Sequence, residues 1–157
     1  MFYNKRCKWR IIQKIANNSE IIINQKYEED EMDFAHKETR EIRYYSTKNN
    51  QTMTVHTEPA KAYADSLEKN FEVKSYKTCE LLDIEQYTQI PTIGLRKSIL
   101  QGTWTTDFVI HLQDGNTAIR ELSYRRDFLR MMNLQKLEFS RRYWASLGIM
   151  DWKIILI

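Results

Sequence analysis

Apolar positions along the chain recur at two spacings, every second residue or every third to fourth, and their succession predicts the order of elements. In KWRIIQKIA, Lys8 to Ala16, the residues Trp9, Ile12 and Ile15 lie three apart as on one side of a short amphipathic helix, which Asn17-Asn18-Ser19 stops. Gln25 to Arg40 is polar and acidic and reads as a loop. EIRYYST, Glu41 to Thr47, and TMTVHT, Thr52 to Thr57, are rich in β-branched and aromatic residues. They flank Lys48-Asn49-Asn50-Gln51, where asparagine tolerates positive φ, and together predict a hairpin. Thr57-Glu58-Pro59 opens a helix: threonine caps, and proline lacks only an N–H that the first turn leaves unpaired. Ala60 to Asn70 holds no breaker, Phe71 to Leu82 reads as a strand, and Pro91 and Gly94 mark a loop.

TWTTDFVIHLQDGNTAIREL, Thr103 to Leu122, predicts a second hairpin turning at Asp114-Gly115. Side chains alternate along a strand, so Phe108, Ile110 and Leu112 share one face while Asp107, Val109 and His111 share the other. A helix follows over about Asp127 to Leu147, with Leu134, Leu137, Trp144 and Leu147 on a core stripe and Gly148 at the favoured C′ position. Trp152 to Ile157 is apolar but for Lys153, as an inner parallel strand is. The order strand, hairpin, long helix, strand predicts an α/β (α+β) fold with a mixed central sheet flanked by helices.

Composition narrows the class. The chain of 157 residues fits one domain, with 42% apolar and 29% charged residues, four glycines and two prolines, which excludes disordered and fibrous proteins. The longest apolar runs, Ile21 to Ile23 and Ile154 to Ile157, are far below the ~18 residues of a membrane span, and MFYNKRCKW has no signal-peptide core, so no membrane is expected. Cys7 and Cys79 stand far apart without ligand spacing and predict free thiols; His36, His56 and His111 likewise form no ligand set. Ser123 lacks a glycine-framed elbow. The net charge of +3 permits a nucleic-acid partner without requiring one. Acid gathers at Tyr27 to Glu31, and base at Arg125, Arg126, Arg130, Lys136, Arg141 and Arg142. That basic run reads either as a solvated helix face or as a surface for DNA phosphates.

The second hairpin carries candidate chemistry. Metal-dependent nucleases place carboxylates on adjacent strands because Mg²⁺ takes oxygen ligands, clamps the scissile phosphate and acidifies a bound water. A lysine two residues beyond the second acid faces the same side of the strand and stabilises developing charge. Asp107 fits the first position, while the second strand offers Arg120, Glu121 and Leu122.

Three stretches, IRYYSTK at Ile42 to Lys48, SLEKNFEVKSY at Ser66 to Tyr76 and TTDF at Thr105 to Phe108, continue into QKLEFSRRYWASLGI at Gln135 to Ile149. In order and spacing they resemble TnsA, the endonuclease subunit of heteromeric bacterial transposases. The resemblance implies a single restriction-endonuclease-like domain over residues 1–157, without the partner-binding C-terminal domain of full-length members. It places the family's aspartate, a metal ligand, on Asp107. Its helix glutamate falls on Ala60, with Glu58 roughly 200° away around the helix, and its Gln/Glu-x-Lys falls on Arg120-Glu121-Leu122.

A buried Asp107 next to Arg120 would close into an ion pair, and one carboxylate rarely holds Mg²⁺ without other ligands. The first expectation is therefore a degenerate nuclease-fold protein of a mobile element or phage, acting by binding DNA or a transposase or virion assembly, in the bacterial cytoplasm or the virion. The second is an active Mg²⁺-dependent DNA endonuclease with displaced groups, cutting transposon ends or trimming phage DNA. In it, Glu58 or Glu121 joins Asp107 on the metal, Lys136 or Arg125 supplies the cation, and Arg125, Arg126, Arg130, Arg141 and Arg142 bind DNA. The third is a structural part of a virion or transposition complex.

Overall fold

A computed structural model of the chain describes the strand β1, Ile21–Ile23, and residues 40–157. The helix predicted over Lys8 to Ala16, the loop over residues 25–39, and Cys7 and His36 lie outside the described residues. The elements that follow are β2 (Ile42–Ser46), β3 (Gln51–Val55), α1 (Glu58–Lys69), β4 (Val73–Leu81) and a 3₁₀ segment, Ile84–Gln89. Then come α2 (Lys97–Leu100), β5 (Thr105–Leu112), β6 (Thr117–Ser123), α3 (Arg125–Phe128), α4 (Met131–Ser146) and β7 (Asp151–Leu156).

Among the described residues five strands form the central sheet in the order β1-β7-β6-β5-β4. β4, β5 and β6 run antiparallel, whereas β7 lies parallel to both β6 and β1. β7 is thus an inner parallel strand, which accounts for its apolar sequence. β2 and β3 form the predicted first hairpin as a separate two-stranded sheet, and Asn50 takes its positive φ of 52° in the turn.

Strand alternation sorts the interior into two cores, one on each face of the sheet. Phe108, Ile110 and Ala118 pack with Met53 and Val55 of β3 and Ala64 and Leu67 of α1. Val109, Ile119, Trp152 and Ile154 pack with Leu134, Leu137, Phe139 and Trp144 of α4 and with the segment between β4 and β5. The result is the mixed sheet flanked by helices that the element order predicts.

Two details depart from the sequence reading. The single helix predicted over about 127–147 is two, because Arg130 is extended (ψ 132°) between α3 and α4. The Asn133 amide fixes that break by donating to the Asp127 carbonyl (3.2 Å) and the Ser123 hydroxyl (2.8 Å). Leu147, expected on the core stripe, is 44% exposed, since α4 ends at Ser146 and Leu147 is already its cap. Gly148 then turns the chain at φ 80°, and the Ile149 N–H closes back on the Trp144 carbonyl at 2.9 Å. Among the described residues no helix is long and apolar enough to cross a membrane.

The first hairpin is tied down by one carboxylate. Glu68, near the end of α1, accepts from the hydroxyls of Ser46 (2.5 Å), Thr47 (2.5 Å) and Tyr76 (2.8 Å) and from the Thr47 and Lys48 N–H groups (3.1 and 3.3 Å). Burial works to raise its pKa, but the bonds from Ser46, Thr47, Tyr76 and Lys48 outweigh it and bring the carboxyl down to about 2. Glu68→Gln should therefore cost roughly 1–3 kcal/mol, the range for a lost charged acceptor, read as a lower urea midpoint at pH 7. A depressed acid stabilises the fold above its unfolded pKa near 4.5 and loses that contribution as pH falls toward 2. Wild type and variant should thus converge in urea titrations taken through that window.

Candidate active site

Asp107 and Glu121 meet where β5 and β6 part. The backbone register runs up to Phe108 opposite Arg120, and the next pair is Asp107 and Glu121. There the side chains take over from the ladder: Leu122 N–H donates to Asp107 Oδ2 at 2.7 Å, and Asp107 N–H donates to Glu121 Oε2 at 3.2 Å. Both carboxylates share the sheet face of Val109 and Ile119, so both look toward α4.

α4 meets them with Asn133, Lys136 and Ser140, an i, i+3, i+7 stripe. With Leu82, Trp104, Thr105 and Leu137 these residues line a cavity of about 20 Å³, room for about one water or one ion. The Lys136 ammonium lies 5.6 Å from the centre of the Trp104 ring. That ring is itself fixed, its N–H bonded to the Ile99 carbonyl at 2.7 Å. It also lies so close to Gly102 that a Cβ there would sit 2.7 Å from an indole carbon.

Glu121 is the more deeply held acid, 4% exposed. Its Oε1 accepts from Thr106 Oγ1 (3.0 Å) and from Ser140 Oγ. Burial first, and then the neighbouring Asp107 charge, push its carboxyl up to about 8, against the pull of Ser140, the Asp107 N–H and Lys136. Asp107 is raised too, again by burial, with the Leu122 N–H and Lys136 opposing. Two acids facing each other away from water favour whatever positive charge stands between them.

Other sequence expectations resolve differently. Arg120 turns to the opposite face, where it forms a two-pronged pair with Asp151 (2.9 and 3.2 Å) and lies near Tyr63 of α1. The expected Asp107–Arg120 ion pair is therefore replaced by Arg120–Asp151, because Arg120 stands opposite Phe108 and shares its face. Leu122 packs with the α1-side core but lends its N–H to Asp107. Glu58 is exposed in the first turn of α1, on the far side of the sheet from the cavity, and does not join Asp107.

Arg125, Arg126 and Arg130 are exposed at and beside α3. Arg126 and Arg130 reach Asp127 at 3.5 and 3.0 Å. Arg141 and Arg142 clasp the fully buried Glu138 at 2.9 and 2.8 Å, and Arg142 also bonds the carbonyls of Pro91 and Ile93, so these guanidiniums hold the fold rather than face solvent. His111 bonds Thr117, and Cys79 is a free thiol. Thr106 and Trp104 carry no motif that would single them out in the sequence. The stripe of Asn133, Lys136 and Ser140 is a readable signal, whereas Thr106 shows its role only once β6 is paired.

Among the described residues no three His, Cys, Asp or Glu side chains come together. Asp107 and Glu121 nevertheless fit Mg²⁺, which takes one or two carboxylates and fills its other positions with water and substrate phosphate. Compared with models of known protein families and with curated proteins, the chain matches none.

Proposed function

We propose that the protein is a metal-dependent DNA endonuclease whose active site is Asp107, Glu121 and Lys136. The reading rests on one observation: an acid from each of two adjacent strands and a lysine from α4 meet in a single cavity, with Arg120 turned away. The sequence resemblance to TnsA supplies DNA as the substrate class. Asp107 and Glu121 would hold a Mg²⁺ ion, which supplies Lewis-acid polarisation of the phosphate and an acidified water. Lys136 offers its ammonium to the phosphate charge that builds in the transition state. It does so from a helix, whereas the strand position two residues beyond Glu121 is Ser123. Asn133, which lines the cavity, bonds the Asp127 carbonyl of α3, and the exposed Arg125, Arg126 and Arg130 at and beside that helix are the candidate contacts for flanking phosphates.

A second reading keeps the fold and the DNA or partner binding of a transposition complex or virion but no cutting. It is favoured by the number of acids: two carboxylates stand in the cavity, and the helix position that the resemblance assigns to a glutamate is Ala60. A plasmid-nicking assay with Mg²⁺ and with Mn²⁺ separates the readings. Nicking that Asp107→Ala abolishes and Lys136→Met lowers by about a hundred-fold supports the nuclease. Retarded but intact plasmid supports the binding protein, and neither cutting nor retardation supports a structural role.

A further inference from the structure

Behind Glu121 lies a chain of polar groups to which the nuclease reading gives no part. Trp144 Nε1 donates to Thr106 Oγ1 at 2.7 Å, and Thr106 donates to Glu121 Oε1 at 3.0 Å. In parallel, Trp152 Nε1 donates to Ser140 Oγ at 3.1 Å, and Ser140 donates to the same Oε1. Thr106, Ser140, Trp144 and Trp152 are all buried, at 0, 4, 8 and 2% exposure, so water does not substitute for any of these bonds.

With Glu121 ionised, as a metal ligand must be, the direction of every proton in this network is determined. An indole N–H only donates, so each tryptophan makes its hydroxyl an acceptor. A hydroxyl owns one proton, and the partner left to receive it is Glu121. Oε1 therefore receives two donors and has no lone pair to spare. Oε2 receives the Asp107 N–H alone and keeps one lone pair on the side of Asp107. Two tryptophans arriving from different elements, α4 and β7, thus converge on one oxygen of one carboxylate.

We propose that Trp144 and Trp152 are positioning residues which, through Thr106 and Ser140, reserve Glu121 Oε2 as the atom that meets a divalent cation alongside Asp107. The inference rests on the nuclease reading and adds to it how the second ligand is aimed. Outer groups that orient a metal ligand carry about 10–100-fold of metal affinity. Phenylalanine at 144 and 152 keeps an aromatic ring in each place and removes the N–H donors, together with the volume by which indole exceeds phenyl.

Mn²⁺ affinity, measured by calorimetry on the whole chain, and indole N–H resonances in ¹⁵N spectra test this together. Trp144→Phe/Trp152→Phe should weaken Mn²⁺ binding by about 10–100-fold. Should that double variant not fold, Thr106→Val should lose affinity while Thr106→Ser, which restores the hydroxyl, keeps it. In the metal-free protein Glu121→Gln should move the Trp144 and Trp152 indole resonances. Wild-type affinity in the phenylalanine double variant or in Thr106→Val overturns the proposal and leaves the nuclease reading standing. A wild-type chain that binds no Mn²⁺, although both indole resonances respond to Glu121→Gln, overturns the nuclease reading and the cation role with it.

Discussion

Glu121→Gln is expected to remove Mg²⁺-dependent nicking by at least about a thousand-fold, equivalent to about 4 kcal/mol, while making the metal-free protein more resistant to urea at pH 8. The two effects have one cause. A buried acid whose carboxyl is pushed up to about 8 keeps its proton in the folded chain where the unfolded chain has lost it. From pH about 4.5 to about 8 the native state thus binds more protons than the unfolded state, and unfolding free energy falls as pH rises. Below that window the acid is protonated in both states, and above it the whole cost of a buried charge is present. The expected loss in wild type is on the order of a few kcal/mol, since one proton held by the folded chain alone costs about 1.4 kcal/mol per pH unit crossed. Glutamine can still accept at Oε1 from Thr106 and Ser140 and carries no charge, so the variant should be flatter, keeping only the slope that the buried Asp107 carboxyl adds. Urea titrations in EDTA from pH 5 to 9 measure both curves. Adding Mg²⁺ at pH 8 should then raise the midpoint of wild type and leave that of Glu121→Gln in place. A wild-type curve as flat as the variant's would mean that Glu121 titrates as an ordinary surface acid.

Glu138→Ala should destabilise the fold by about 3–5 kcal/mol. Glu138 has no exposed surface, and the Arg141 and Arg142 side chains are only 15 and 10% exposed. Burial alone would raise the Glu138 carboxyl, but the hydrogen bonds and charges of the two arginines reverse this and hold it below its ordinary value. Removing the carboxylate leaves two guanidiniums facing each other without their common acceptor, which costs far more than the intact group is worth over an apolar replacement. Arg142 extends the damage, since it also bonds the Pro91 and Ile93 carbonyls and so fastens the β4–β5 connection to α4. A melting temperature lowered by roughly 10 °C or more is the expected readout for a domain of this size. Glu138→Gln, which retains an acceptor, should fall between variant and wild type. A loss within about 0.5 kcal/mol, the scale of a surface substitution, would show the pairs to be solvent-exposed.

The helix, the hairpins and the inner strand were readable because each is a local pattern: alternation for β5 and β6, the Thr57 cap and Pro59 for α1, a largely apolar run for β7. The direction of Arg120 was not. Alternation along β5 placed Asp107 opposite in face to Phe108, but which residue of β6 faces Phe108 depends on register, and a slip of one residue exchanges the faces. With the register known, Arg120 belongs with Phe108 and Glu121 with Asp107. The basic run misled for a related reason. Arg141 and Arg142 follow Glu138 by three and four residues, the spacing of a helical ion pair, yet only packing shows that this pair is inside. The hydroxyls of Thr106 and Ser140 reach Glu121 from different elements, and no spacing along the chain links them.

β7 has one further consequence, for the order in which the molecule is made. It follows every other strand of the sheet in the chain, yet it sits between β6 and β1 and contributes Trp152 and Ile154 to the α4-side core. Its partner β1 precedes all the others, with Ile21 beside Ile154. During synthesis β1 and the inner edge of β6 must wait, unpaired, until β7 leaves the ribosome. Such distant pairing closes slowly, and exposed strand edges are where newly made chains associate wrongly. Chains cut short before Asp151 should therefore aggregate rather than persist as partly folded monomers.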